Sequence, residues 1–130
     1  MTAARTHWAA DYIGMPWTPA FTCWHFCARV WADRFGITVP LIEIDGADPR
    51  ATRRELETSA ERRGWAEVDA PIEGDAVLMA KGARPCHVGL WLSLGGVLHC
   101  VEGAGAIFTS AERLGDLGYR IVGTYRRIAA

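Results

Sequence analysis

Thr22-Cys23-Trp24-His25-Phe26-Cys27-Ala28-Arg29-Val30-Trp31 is the stretch on which the fold turns. Its apolar positions Cys23, Phe26, Cys27, Val30 and Trp31 recur at helical spacing, the pattern of a helix with one buried face. Pro19 lies upstream and Gly36 follows Phe35, so the spacing predicts a helix from about Thr22 to Phe35. Cys23 falls in its first turn, where backbone N–H groups without partners and the positive end of the helix dipole favour a thiolate. Cys27, one turn further in, reads as a small buried core residue.

Upstream, Thr2 to Ile13 read as a first helix with Trp8, Ala9, Tyr12 and Ile13 on one face, and Gly14-Met15-Pro16-Trp17-Thr18-Pro19 is a turn-rich link. Downstream, Pro40 interrupts the apolar run Ile37 to Ile44, which reads as an extended connector. Asp48 then caps a helix with Pro49 at its first position, running to about Arg63 and closed by Gly64. Beyond Pro71 the pattern changes to short strands: Ala76 to Met79 after a Gly74-Asp75 turn, His87 to Leu92, Val97 to Glu102, Ile107-Phe108, and Tyr119 to Ile128, with a helical turn from Ser110 to about Leu114. Helices followed by a mostly antiparallel sheet make an α+β chain, expected as one domain over residues 1–130.

Half of the 130 residues are apolar, 22% are charged and the net charge is −1, an ordinary globular composition that gives no electrostatic reason to expect nucleic acid or a membrane surface. Arg50, Arg53, Arg54, Arg62 and Arg63 are interleaved with Glu55, Glu57 and Glu61, as on a solvated helix face. No apolar run is long enough to span a bilayer, and Met1-Thr2-Ala3-Ala4-Arg5 does not open a signal peptide, so synthesis in the cytoplasm is expected. Four cysteines without an export signal read as thiols.

Cysteine catalysis needs a base beside the thiol and a third group that orients the base. His87 and His99 are the candidates, and the hairpin between them decides whether they share a face. A two-residue turn at Gly95-Gly96 would pair Leu92 with His99 and separate the rings. A three-residue loop, Ser93-Leu94-Gly95, would pair Gly89 with His99 and set His99 diagonal to His87, with Gly89 leaving room. The catalytic reading requires the second register. His7 and His25 read as structural or exposed. A metal site is the alternative chemistry, since Cys23 and Cys27 have knuckle-like spacing. Cys86-His87 and His99-Cys100, however, are neighbours on strands, where adjacent side chains point to opposite faces. No metal or other cofactor is therefore expected.

Tyr12-Ile13-Gly14-Met15-Pro16-Trp17, Thr22-Cys23-Trp24, Gly74-Asp75-Ala76-Val77, His87-Val88-Gly89-Leu90-Trp91 and Val97-Leu98-His99, in this order, resemble the NlpC-type cell-wall peptidases, in particular the short form found in phage tail gene clusters and gene transfer agents. The resemblance covers nearly the whole chain. It implies a papain-like α+β fold with Cys23 as nucleophile, His87 as general base and His99 as the orienting residue. It also implies cleavage of peptidoglycan stem peptides without a metal, with the backbone N–H of Cys23 as an oxyanion donor worth roughly 3 kcal/mol when aligned. Trp17 and Trp24 are expected at the substrate groove. Two positions depart from the family pattern: Thr22 stands where an aspartate is usual, and Trp17 where many members have tyrosine.

Two functions follow as expectations. One is a tail-borne cysteine peptidase that opens murein locally, with a hub or baseplate protein as docking partner. The other is a weak or inactive protein of the same fold that serves in tail-tip assembly, for which exposed tryptophans among Trp17, Trp24, Trp65 and Trp91 would supply the docking surface.

Overall fold

The computed structural model describes residues 7–39, 64–82 and 84–128, with the side chains of 84–86 excepted. The expected helix from Asp48 to Arg63, the connector beyond Val39, the start of the first helix and the side chain of Cys86 lie outside the described residues.

The cysteine stretch forms helix α1 (Cys23–Val30), continued by a wider π-helical turn over Trp31–Phe35 and closed by Gly36 at φ +64°. Eight residues do not hold a helix in water, so α1 depends on docking. Its Trp24, Phe26, Cys27, Val30 and Trp31 are buried against Ala76, Leu78, Val88, Leu90 and Leu98 of the sheet. Each fully buried Phe or Val side chain contributes roughly 1.5–3 kcal/mol to that docking. Upstream, the described part of the expected first helix is a single 3-10 turn, Trp8–Asp11. Ala9 and Tyr12 are buried as expected, whereas Ile13 is exposed, because the turn ends before it can reach the core face.

Among the described residues the sheet has six strands: β1 (Trp65–Glu67), β2 (Ala76–Lys81), β3 (Arg84–Leu92), β4 (Gly96–Val101), β5 (Gly105–Ser110) and β6 (Arg120–Arg127). Their spatial order is β1-β6-β2-β3-β4-β5, and every pairing is antiparallel. The fold is α+β. A second 3-10 helix, Ala111–Leu117, joins β5 to β6. Its Leu114 packs with Tyr119, Val77, Met79 and Val97 in a smaller cluster, which also takes in Trp91. Residues alternate along each strand, so this second cluster occupies the face of the sheet opposite α1.

The joint between layers is Gly74-Asp75. Trp31 donates its indole N–H to the Gly74 carbonyl at 2.8 Å, and the Phe35 ring fills the space where a Gly74 side chain would stand. Asp75, 4% exposed, accepts the Ile72 N–H at 2.8 Å and is gripped by Nε and Nη2 of Arg126, the latter at 2.9 Å. A buried carboxylate is tolerated there because both its oxygens are occupied. The Gly-Asp pair therefore has a structural role, tying β2 to both α1 and β6.

The β3–β4 hairpin adopts the three-residue loop, with Leu92 paired to Gly96 and Leu90 to Leu98. Continuing that register sets Gly89 opposite His99, and a Cβ on Gly89 would lie 2.4 Å from Val97 Cγ1 and 3.0 Å from His99 Cβ. Gly89→Ala is expected to lower stability by about 1–3 kcal/mol, read as a reduced urea midpoint, because neither neighbour can retreat from a paired strand.

Candidate functional site

The odd-numbered residues of β3 and β4 carry the site. His87 Nε2 and His99 Nδ1 are 2.8 Å apart, and His99 Nε2 is 2.9 Å from the Thr109 hydroxyl on β5. One hydrogen-bonded line thus crosses three strands. His99 is fully buried, and His87 and Thr109 are nearly so. A β-bulge marks the head of the line: Met79 pairs with His87 while Ala80 pairs with Pro85, so Cys86 is the extra residue of β3. Bulges re-aim the side chains beside them.

Burial keeps both rings neutral at pH 7. It pushes His87 well below its usual pKa, helped by His99 and the Lys81 ammonium, and pushes His99 down to about 4. A neutral imidazole chain can be written with two proton orders. With protons on both Nε2 atoms, His87 donates to His99, His99 donates to Thr109, and Nδ1 of His87 is left as the basic atom. The opposite order leaves His87 with its proton on Nδ1 and no base.

Cys23 sits at the first position of α1, partly buried, after the cap residue Thr22. The Thr22 N–H donates to His25 Nδ1 at 3.2 Å, and the Thr22 hydroxyl lies 3.0 Å from the same nitrogen. A histidine thus takes the third-position part usually played by Glu or Gln in a capping box. Cys27 is fully buried and its thiol donates to the Val88 carbonyl at 3.7 Å, while Cys100 approaches the Met15 carbonyl at 3.8 Å. Burial raises the Cys27 pKa well above the ordinary value and that of Cys100 to about 11, with Cys23 nearby adding to both. Both remain protonated at neutral pH.

The structure brings His87 and His99 together, and Cys23 packs at the head of α1 against the core cluster. α1 packs on the face of Val88, Leu98 and Cys100, whereas the two histidines point out of the other face, among Val97, Met79 and Tyr119. Cys100 and His99, adjacent on β4, are divided between the faces in the same way. Among the described residues, no group of three or more His, Cys, Asp or Glu is placed to hold a metal ion.

Trp24 is a correction. It is fully buried, edge-on to Trp31 at 5.7 Å, because its position on α1 turns it towards the sheet, so it lines no groove. Trp65 is likewise buried, at 1% exposure, against Trp31. Trp17 and Trp91 are half-buried, and Trp17 packs against the core. Thr109, Tyr119 and Lys81 belong to the site and carried no motif. Only the pairing of Val97 with Thr109, which depends on the 102–104 turn, puts Thr109 on the histidine face.

The chain matches no family model, and no curated protein matches it.

The histidines make stability depend on pH. Both have folded pKa values below the ordinary 6.5, so above that pH folded and unfolded chains are equally neutral. Below it the unfolded chain takes up protons that the fold refuses. Stability should fall by up to about 1.4 kcal/mol per pH unit for each ring between roughly pH 6.5 and 4.5. Urea midpoints should drop over this window in the wild type and flatten in His87→Gln/His99→Gln. Glu73, held low against its own burial by the Ser93 N–H, Trp8 and His7, enters only at lower pH.

Proposed function

We propose that this chain is a cysteine hydrolase of peptidoglycan stem peptides, with a papain-like NlpC-type fold, carried on the tail of a phage or phage-like particle. Cys23 is the nucleophile, His87 the general base and His99 its orienting residue. The observation that carries this reading is the 2.8 Å contact between His87 Nε2 and His99 Nδ1, which is the base–orienter half of the required machinery. The order of the sequence motifs supports it, as does a partly exposed thiol in the first turn of a helix.

In this reading Nδ1 of His87 takes the thiol proton as Cys23 attacks the stem-peptide carbonyl, and the imidazolium bonds His99 through Nε2–H. The backbone N–H of Cys23, at the head of α1, faces the developing oxyanion. His87 then gives its proton to the leaving amine, and water cleaves the thioester. The reaction requires the Cys23 thiol of the α1 layer to reach Nδ1 of His87. The docking partner on the tail is a hub or baseplate protein.

A second reading rests on a specific observation. Cys23 and the histidine pair occupy layers on different faces of the sheet, and Tyr119 covers His87. A domain of this kind serves as a tail-tip assembly component with an idle thiol.

Hydrolysis of purified muropeptides separates the two. The peptidase reading expects cleavage by the wild type and loss by a factor on the order of 10³ or more in Cys23→Ala and His87→Ala, with circular dichroism unchanged. It also expects iodoacetamide to label Cys23 before Cys27 or Cys100. A wild type that cleaves nothing, with particles assembling normally around Cys23→Ala, establishes the second reading.

A further inference from the structure

Tyr119 lies flat on His87, with ring centroids 4.7 Å apart and planes 16° from parallel, and presents its edge to His99 at 6.0 Å. The Lys81 ammonium stands 4.8 Å from the centroid of the same tyrosine ring. The chain is shaped to lay the ring down there. Gly118, at φ +86°, ends the 3-10 helix in a conformation that other residues avoid, and the Tyr119 N–H is tied to the Leu114 carbonyl at 3.0 Å. The Lys81 stem runs alongside Gly118, 3.7–4.0 Å from where a Cβ would be.

A tyrosine in a small cluster is ordinarily just core. Two features mark this one: it contacts the imidazole face to face, and a cation holds it in turn. A cation over an aromatic ring is attracted to the ring's negative face, which fixes the ring's tilt. The groups that face His87 are His99 from β4, Lys81 from β2 and Tyr119 from the segment leading into β6. No described contact is a carboxylate that would draw a proton onto the pair.

We propose that Tyr119 is a positioning residue for His87: its ring, steadied by Lys81, fixes the imidazole in the rotamer that bonds His99 and seals the pair from water. This rests on the reading of His87 as a base, but its test needs no turnover.

The test follows the ring carbon–proton resonances of the four histidines in the labelled full chain as pH is lowered. In the wild type, His87 and His99 should not titrate at the ordinary histidine pH of about 6.5. In Tyr119→Leu, both buried rings should move up by about one unit or more, while Tyr119→Phe should stay with the wild type. Lys81→Met, at an exposed position, should give a smaller upward shift of His87 alone. The proposal is overturned if folded Tyr119→Leu titrates like the wild type, or if Tyr119→Phe behaves like Tyr119→Leu. If Tyr119→Leu does not fold, an unshifted His87 in Lys81→Met overturns it. Absence of muropeptide hydrolysis would count against the hydrolase reading and leave these outcomes unaffected.

Discussion

The register between β3 and β4 is the constraint on which everything else at the site depends. A three-residue loop at 93–95 sets Gly89 across from His99, and the missing side chain lets the two imidazoles close to 2.8 Å. One residue fewer in the loop would have turned His99 to the face of α1 and left His87 facing strand neighbours alone. The hydrogen bonds to Thr109 and the cover by Tyr119 are built on that same alternation. Polar rings this deep are tolerable because each ring nitrogen on the line has a partner and neither ring carries charge.

The sheet also divides the chemistry. On one face, α1 brings three thiols into the same neighbourhood, with Cys27 and Cys100 held protonated by burial. On the other, two imidazoles are kept neutral beneath an aromatic ring and a cation. The Gly74-Asp75 joint fixes the two layers relative to each other, through the Trp31 indole on one side and the Arg126 guanidinium on the other. The departures at Thr22 and Trp17 affect the α1 layer alone. Thr22 still caps its helix, with His25 as an unexpected partner.

Much of this was legible in the sequence, for definable reasons. The α1 stripe, the closing Gly36 and the five strands beyond Pro71 follow from periodicity and glycine, and the required hairpin register is the one adopted. Other features were hidden. Strand β1 is only three residues long and is made by pairing with the far end of the chain. Trp24, expected at the groove from the family resemblance, is instead one of three indoles packed together in this core, edge-on to Trp31, which is tilted against Trp65. Thr109 and Tyr119 reach the histidines only through the 102–104 turn and the Gly118 cap. Nor does any spacing along the chain say which face of a sheet a helix will cover, so the assignment of Cys23 and His87 to different layers was not readable.

The most direct test of the hydrolase account is capture of its covalent intermediate. The wild-type chain is mixed with a muropeptide, quenched in acid within the first turnovers, digested and mapped by mass spectrometry. The account predicts a stem-peptide thioester on Cys23 that is absent from Cys23→Ala. Cleaved muropeptide with Cys23 unmodified throughout, or no cleavage and no adduct at any time, would contradict it.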